Sequence, residues 1–144
     1  MADTTEIDDL IDSFELLDDW EDRYAYIIDL GRKHTGVPAD EMIEDNKVEG
    51  CMSQVWLTTT VEEGQPPILH FRGDSDAAIV KGLVAILMMV YSGKTPQAIL
   101  DIDIEDLFAR LGLDSHLSSG RRNSFFSMVQ TIRRTAESRL SAAS

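Results

Sequence analysis

The segment from Ala77 to Tyr91 constrains this chain most. It is apolar on nearly every side, and Leu83 to Tyr91 is an uninterrupted run of nine apolar residues. A membrane span needs about 20 such residues. A helix that is hydrophobic all round and too short to span lipid must lie in the middle of a protein core. The rest of the chain therefore has to wrap around it. With 144 residues, of which 43% are hydrophobic and 27% charged, the chain has the material for one such core. We expect a single domain over residues 1–144, with a few flexible residues at each end.

The flanking patterns show what does the wrapping. Ile7, Leu10, Ile11 and Phe14 recur at i, i+3, i+4, i+7, which predicts a helix starting near Thr5, where Thr5 and Asp8 have capping-box spacing. Trp20, Tyr24, Ile27 and Ile28 predict a second helix after Asp18 or Asp19, ended by Gly36 and Pro38. Asp40 to Glu44 is at most a short turn. Asn46 to Ser53 has neither helical nor strand period and reads as a loop. From Gln54 the period is 2: Val55, Leu57, Thr59 and Val61 share one face and Trp56, Thr58 and Thr60 the other. A turn at Glu63–Pro67 leads to a second strand, Ile68 to Arg72, with Leu69 and Phe71 on one face. Gly73-Asp74-Ser75-Asp76 then opens the apolar helix. Thr95 with Pro96, and Asp103 with Asp106, start two short helices, the second stopped by Gly112. A last helix spans Ser119 to Leu140 with Phe125, Val129, Ile132 and Ala136 inside. Helices, a hairpin, then helices make an α+β fold, a small antiparallel sheet packed against several helices.

Charge excludes some functions. The formal net charge is −13. Residues 1–50 hold 4 basic and 16 acidic groups, net −12, whereas residues 101–144 hold 6 of each. So acidic a chain repels nucleic acid and anionic membrane. Arg121, Arg122, Arg133, Arg134 and Arg139 make the last helix locally basic, which fits an exposed face or contacts with carboxylates. The N-terminus lacks the basic and apolar parts of a signal peptide, so a cytoplasmic protein is expected.

Several short motifs fail on their chemistry. Gly93-Lys94-Thr95 ends like a phosphate-binding loop, but the first glycine is replaced by Met88 and a helix precedes it. Asp101 to Asp106 alternates carboxylates as a calcium loop does, yet Asp106 and Gly112 stand where glycine and glutamate are required. His34, His70 and His116 have no ligand-spaced partners, so no metal site is expected. No Gly-x-Ser-x-Gly elbow is present.

Cys51 is the one cysteine, so no intramolecular disulfide forms. A lone cysteine is most often a small buried hydrophobe. This one follows Gly50 in a loop, just ahead of a strand, and has no patterned core position. No lysine, arginine or histidine lies within three residues to acidify it, and Glu49 opposes ionisation. A cysteine that waits for a partner fits better than a self-activated nucleophile.

Gly50-Cys51-Met52-Ser53-Gln54-Val55-Trp56 resembles the Gly-Cys-x-Ser-Gln-Val-Trp signature of the SufE family, sulfur acceptors in iron–sulfur cluster assembly. Gly73 to Gly82 resembles that family's second block, and Trp20 to Gly31 its first-helix block. The resemblance covers roughly residues 10 to 140. It implies an α+β fold related to the IscU-type cluster scaffold. It implies that Cys51 accepts sulfane sulfur from the persulfide of a SufS-type or related cysteine desulfurase, stimulates that enzyme, and passes sulfur to a SufBCD-like scaffold. The pyridoxal phosphate would belong to the desulfurase, and this chain would bind no cofactor. Gly50, Met52, Ser53 and Gln54 would shape the cysteine loop, and Asp74 and Arg121 match positions linked to the loop or the partner. Arg122-Asn123-Ser124-Phe125 departs from the family's usual glycine at Ser124. Two other readings stay open at this point: a regulatory module that binds a desulfurase without carrying sulfur, and a free-standing thiol enzyme.

Overall fold

The computed structural model describes residues 2–34, 36–51 and 54–143. The elements run α1 (Ala2–Leu16), α2 (Trp20–Lys33), β1 (Val55–Glu62), β2 (Ile68–Ser75), α3 (Ala78–Tyr91), α4 (Pro96–Asp101), α5 (Ile104–Arg110) and α6 (Ser119–Ala143), with short 3-10 turns at Ala39–Glu41, Glu44–Asn46 and Leu113–Ser115. This is the expected α+β order.

The apolar helix is central, as its composition requires. Leu83, Val84, Ile86, Leu87, Val90 and Tyr91 of α3 are wholly buried, and α1, α2, α6 and β2 all pack on it. The approach to α2 is backbone to backbone. A Cβ on Gly82 would stand 2.1 Å from the Ile27 carbonyl oxygen, and one on Gly31 would stand 2.8 Å from the Gly82 nitrogen. No residue larger than glycine fits that crossing. From the far side α6 contributes Phe125, Met128, Val129, Ile132 and Ala136, all buried, so its inner stripe lies where the 3.6-residue period puts it.

Caps set the other helix starts. Asp19 accepts from the Glu21 N–H at 3.0 Å, Thr95 from Ala98 at 3.2 Å, and Asp103 from Asp106 at 3.1 Å. Asp106 thus supplies an N–H rather than a second cap. The first helix begins at Ala2, ahead of the expected start near Thr5, so Thr5 and Asp8 lie inside it.

The sheet is one antiparallel hairpin, registered from Val55 opposite Ser75 to Glu62 opposite Ile68. It differs from expectation at one end. β2 continues three residues past Arg72, so Gly73, Asp74 and Ser75 finish a strand instead of opening a helix. Leu57, Trp56 and Val55 pair with them, and Asp74 and Ser75 are buried. Cross-strand pairing thus overrides the turn-forming composition of Gly-Asp-Ser. Trp56, on the opposite face from Val55 and Leu57, is buried as well, because Lys47 bridges to it from the preceding segment. The start of β1 is therefore covered on both faces, and this covered end carries the cysteine loop.

Candidate functional site

The loop leaves and re-enters the fold through a narrow neck. The Val48 N–H donates to the Val55 carbonyl at 2.9 Å, which brings the two ends of the loop together. Its return is pinned from β2 and the turn after it. The Gln54 N–H donates to Asp76 Oδ1 at 3.0 Å, and the Gln54 carbonyl accepts from the Ser75 hydroxyl at 2.8 Å and the Asp76 N–H at 3.3 Å. Ser75 Oγ in turn accepts from the Ala77 N–H at 3.2 Å, at the start of α3. Gln54 is thus a fixed anchor, and Met52 and Ser53 lie outside the described residues.

Gly50 turns the chain onto α6. Its φ of 87° is in the left-handed region, which favours glycine. A Cβ there would also stand 2.7 Å from Ser127 Oγ. The turn delivers Cys51 to the same helix: Sγ makes a long contact, 3.9 Å, to the carbonyl oxygen of Ser124. Cys51 is a free thiol, half-buried and packed against the hydrophobic core. Burial pushes its pKa up from the ordinary value of 9.0, because the low-dielectric surroundings disfavour a thiolate. At neutral pH Cys51 rests protonated. No cation figures among the influences on its ionisation, in line with the local sequence.

Asp74 lies deeper than its neighbours in the second signature suggest. It is 6% exposed. Oδ2 accepts from the Val37 N–H at 3.1 Å, Oδ1 accepts from its neighbour's N–H on Ser75 at 2.9 Å, and Lys81 Nζ lies 3.3 Å from Oδ1. This carboxylate clasps the segment after α2 to the end of β2 and the first turn of α3. Beside it His34 Nε2 meets the Gly73 carbonyl at 3.0 Å. Burial lowers the His34 pKa below 6.5, against the opposing pull of the Gly73 carbonyl and Asp74.

Arg121 is exposed in the first turn of α6, and its N–H donates to Ser118 Oγ at 3.3 Å. It stands one turn ahead of Ser124 on α6. The structure thus brings Gly50, Cys51 and α6 together, ties Gln54 to Ser75 and Asp76, and gives Asp74 a buried clasp of its own. Sequence reasoning did not single out Ser127. A half-exposed serine in a helix carries no motif, and the only signal was a loop glycine that needed something to lie against.

A polar cleft of about 690 Å³ opens beside this seat, lined by Glu44, Asp45, Glu49, Gly50, Ser127 and Arg134 among others. Among the described residues no group of three or more His, Cys, Asp or Glu side chains could hold a metal ion, and no helix is long and apolar enough to cross a membrane.

The sequence profile of SufE, described as an Fe-S metabolism associated domain, matches residues 8–136. The chain belongs to the SufE family. It is 48% identical over 139 residues to an uncharacterized SufE-like protein of Rhizobium meliloti strain 1021, covering 96% of this chain and 99% of that protein. An uncharacterized SufE-like protein of Rhizobium etli is 47% identical over 137 residues, covering 94% of this chain and 93% of the relative. The solution structure of a hypothetical protein from Thermus thermophilus has the same fold, with a TM-score of 0.72 at 18% identity, covering 94% of this chain and 96% of that one. Membership of the SufE family places the chain in iron–sulfur metabolism.

Proposed function

We propose that this chain is a sulfur acceptor and carrier: Cys51 takes sulfane sulfur from the persulfide of a SufS-type cysteine desulfurase and delivers it to a SufBCD-like cluster scaffold. The observation that carries this reading is the setting of Cys51. The single thiol of the chain sits on a pinned loop at the covered end of the sheet, half-buried and protonated at rest. Such a sulfur does no chemistry alone. It reacts when a partner draws the loop out and the proton can leave to solvent or to a base of the partner.

The transfer is a thiol–disulfide-type exchange. The Cys51 thiolate attacks the outer sulfur of the donor persulfide. A bond forms between Cys51 Sγ and that sulfur, the donor's S–S bond breaks, and the donor cysteine leaves as thiolate. No net oxidation occurs. Delivery repeats the exchange with an acceptor thiol. With no second cysteine in the chain, no internal thiol can close a disulfide and expel the sulfur as sulfide. The pyridoxal phosphate of the scheme belongs to the desulfurase, and this chain contributes the acceptor sulfur and its shelter.

The test is stimulation of the desulfurase. Alanine formed from cysteine is measured with wild type and with Cys51→Ser, which leaves the half-buried loop site filled. Wild type raises turnover and Cys51→Ser does not. Equal stimulation by Cys51→Ser would contradict carriage and make the chain a regulatory module.

A further inference from the structure

The Cys51 loop has a seat on α6, and one side chain forms its contact point. Gly50 lies so close to Ser127 that a Cβ on Gly50 would stand 2.7 Å from Ser127 Oγ. One residue on, Cys51 Sγ lies 3.9 Å from the Ser124 carbonyl, on the same helix and one turn earlier. Two consecutive loop residues thus rest on two consecutive steps of α6. Gly50 and Ser127 also both line the 690 Å³ polar cleft, so their contact forms part of its wall.

We propose that Ser127 is a positioning residue for sulfur acceptance: its small side chain lets Gly50 settle on α6, and this settling keeps Cys51 at Ser124 and out of the cleft. The proposal rests on the acceptor reading above. Serine suits the place because it is short. The gap between Ser127 Oγ and Gly50 already has no room for a Cβ on Gly50, so a branched side chain at position 127 crowds the loop. Ser127 belongs to a 25-residue helix, so crowding at this contact displaces the loop rather than the helix. Lifting Gly50 would carry Cys51 with it, exposing a resting thiol or, once loaded, a persulfide.

The experiment uses the full chain without desulfurase. Ser127→Ile is compared with wild type, with the milder Ser127→Val, and with Ser138→Ile on an exposed turn of the same helix. A β-branched side chain occupies two of the three staggered positions on Cβ and has little freedom to swing clear of Gly50. The readout is the rate of Cys51 alkylation by iodoacetamide across pH. Ser127→Ile should raise the rate at neutral pH by about tenfold and move the pH profile toward that of a free thiol. Ser127→Val should move both in the same direction, and Ser138→Ile should stay within about twofold of wild type. Sulfur loaded onto Ser127→Ile should also be lost faster to dithiothreitol than sulfur on wild type. Rates for both Ser127 variants within twofold of wild type, or an equal rise in Ser138→Ile, would overturn the proposal. Loading of wild type by a desulfurase is scored separately: its failure overturns the acceptor reading, whereas unchanged alkylation overturns the seat.

Discussion

Replacing Asp74 with alanine removes three interactions at once, and their sizes can be worked from the geometry. The N–H groups of Val37 and Ser75 lose their acceptor at 3.1 and 2.9 Å. Both residues are buried, and each orphaned donor costs about 1–1.5 kcal/mol. The contact with Lys81 at 3.3 Å adds less, because the lysine side chain is 32% exposed and can turn to water; about 1 kcal/mol is appropriate for such a pair. The total is about 3–4 kcal/mol, a large share of the roughly 5–15 kcal/mol that holds a domain together. Urea unfolding followed by tryptophan fluorescence should show the midpoint falling by about 2 M, and the thermal midpoint should drop by about 10 °C. Asp74→Asn keeps one acceptor oxygen and should lose about half as much. A loss below about 1 kcal/mol for Asp74→Ala would refute the clasp and return Asp74 to the partner surface.

Two further outcomes follow from the same packing. His34 is held neutral by burial, so its folded pKa lies below 6.5 while the unfolded chain takes up a proton near 6.5; the stability this neutral form contributes is full above pH 6.5 and is lost as pH falls below it, so urea titrations between pH 8 and 5 should show an acid loss in wild type that is smaller in His34→Gln, and parallel curves would contradict the assignment. Gly82→Ala drives a methyl to 2.1 Å from the Ile27 carbonyl oxygen, a backbone atom that cannot step aside, and should cost about 3 kcal/mol or more in the same urea assay; a stable Gly82→Ala would mean that the α2–α3 crossing is wider than described.

What could be read from the sequence follows from how local the signal was. The α3 core helix, the inner stripe of α6 and the caps at Thr95 and Asp103 rest on periodicity and on hydrogen bonds within a few residues, and the structure has them where the pattern puts them. The end of β2 departs from its local pattern: Gly73-Asp74-Ser75 has turn composition, and only its pairing with Val55–Leu57, earlier in the chain, makes it a strand. That same non-local pairing carries Asp74 into the interior. The cysteine loop was visible as an aperiodic stretch with Gly50 and Cys51. Its seat was not, because Ser124 and Ser127 meet it across more than seventy residues of chain, and a serine in a helix announces nothing until the surface opposite it is known.

The most direct test of the account is the intact mass of the chain after incubation with a cysteine desulfurase and cysteine. Wild type should gain one sulfur atom, removable by a thiol reductant and mapped to Cys51, and Cys51→Ser should gain none. Wild type that stays unmodified while the desulfurase turns over, or Cys51→Ser that gains sulfur equally, would contradict the claim that Cys51 is the acceptor.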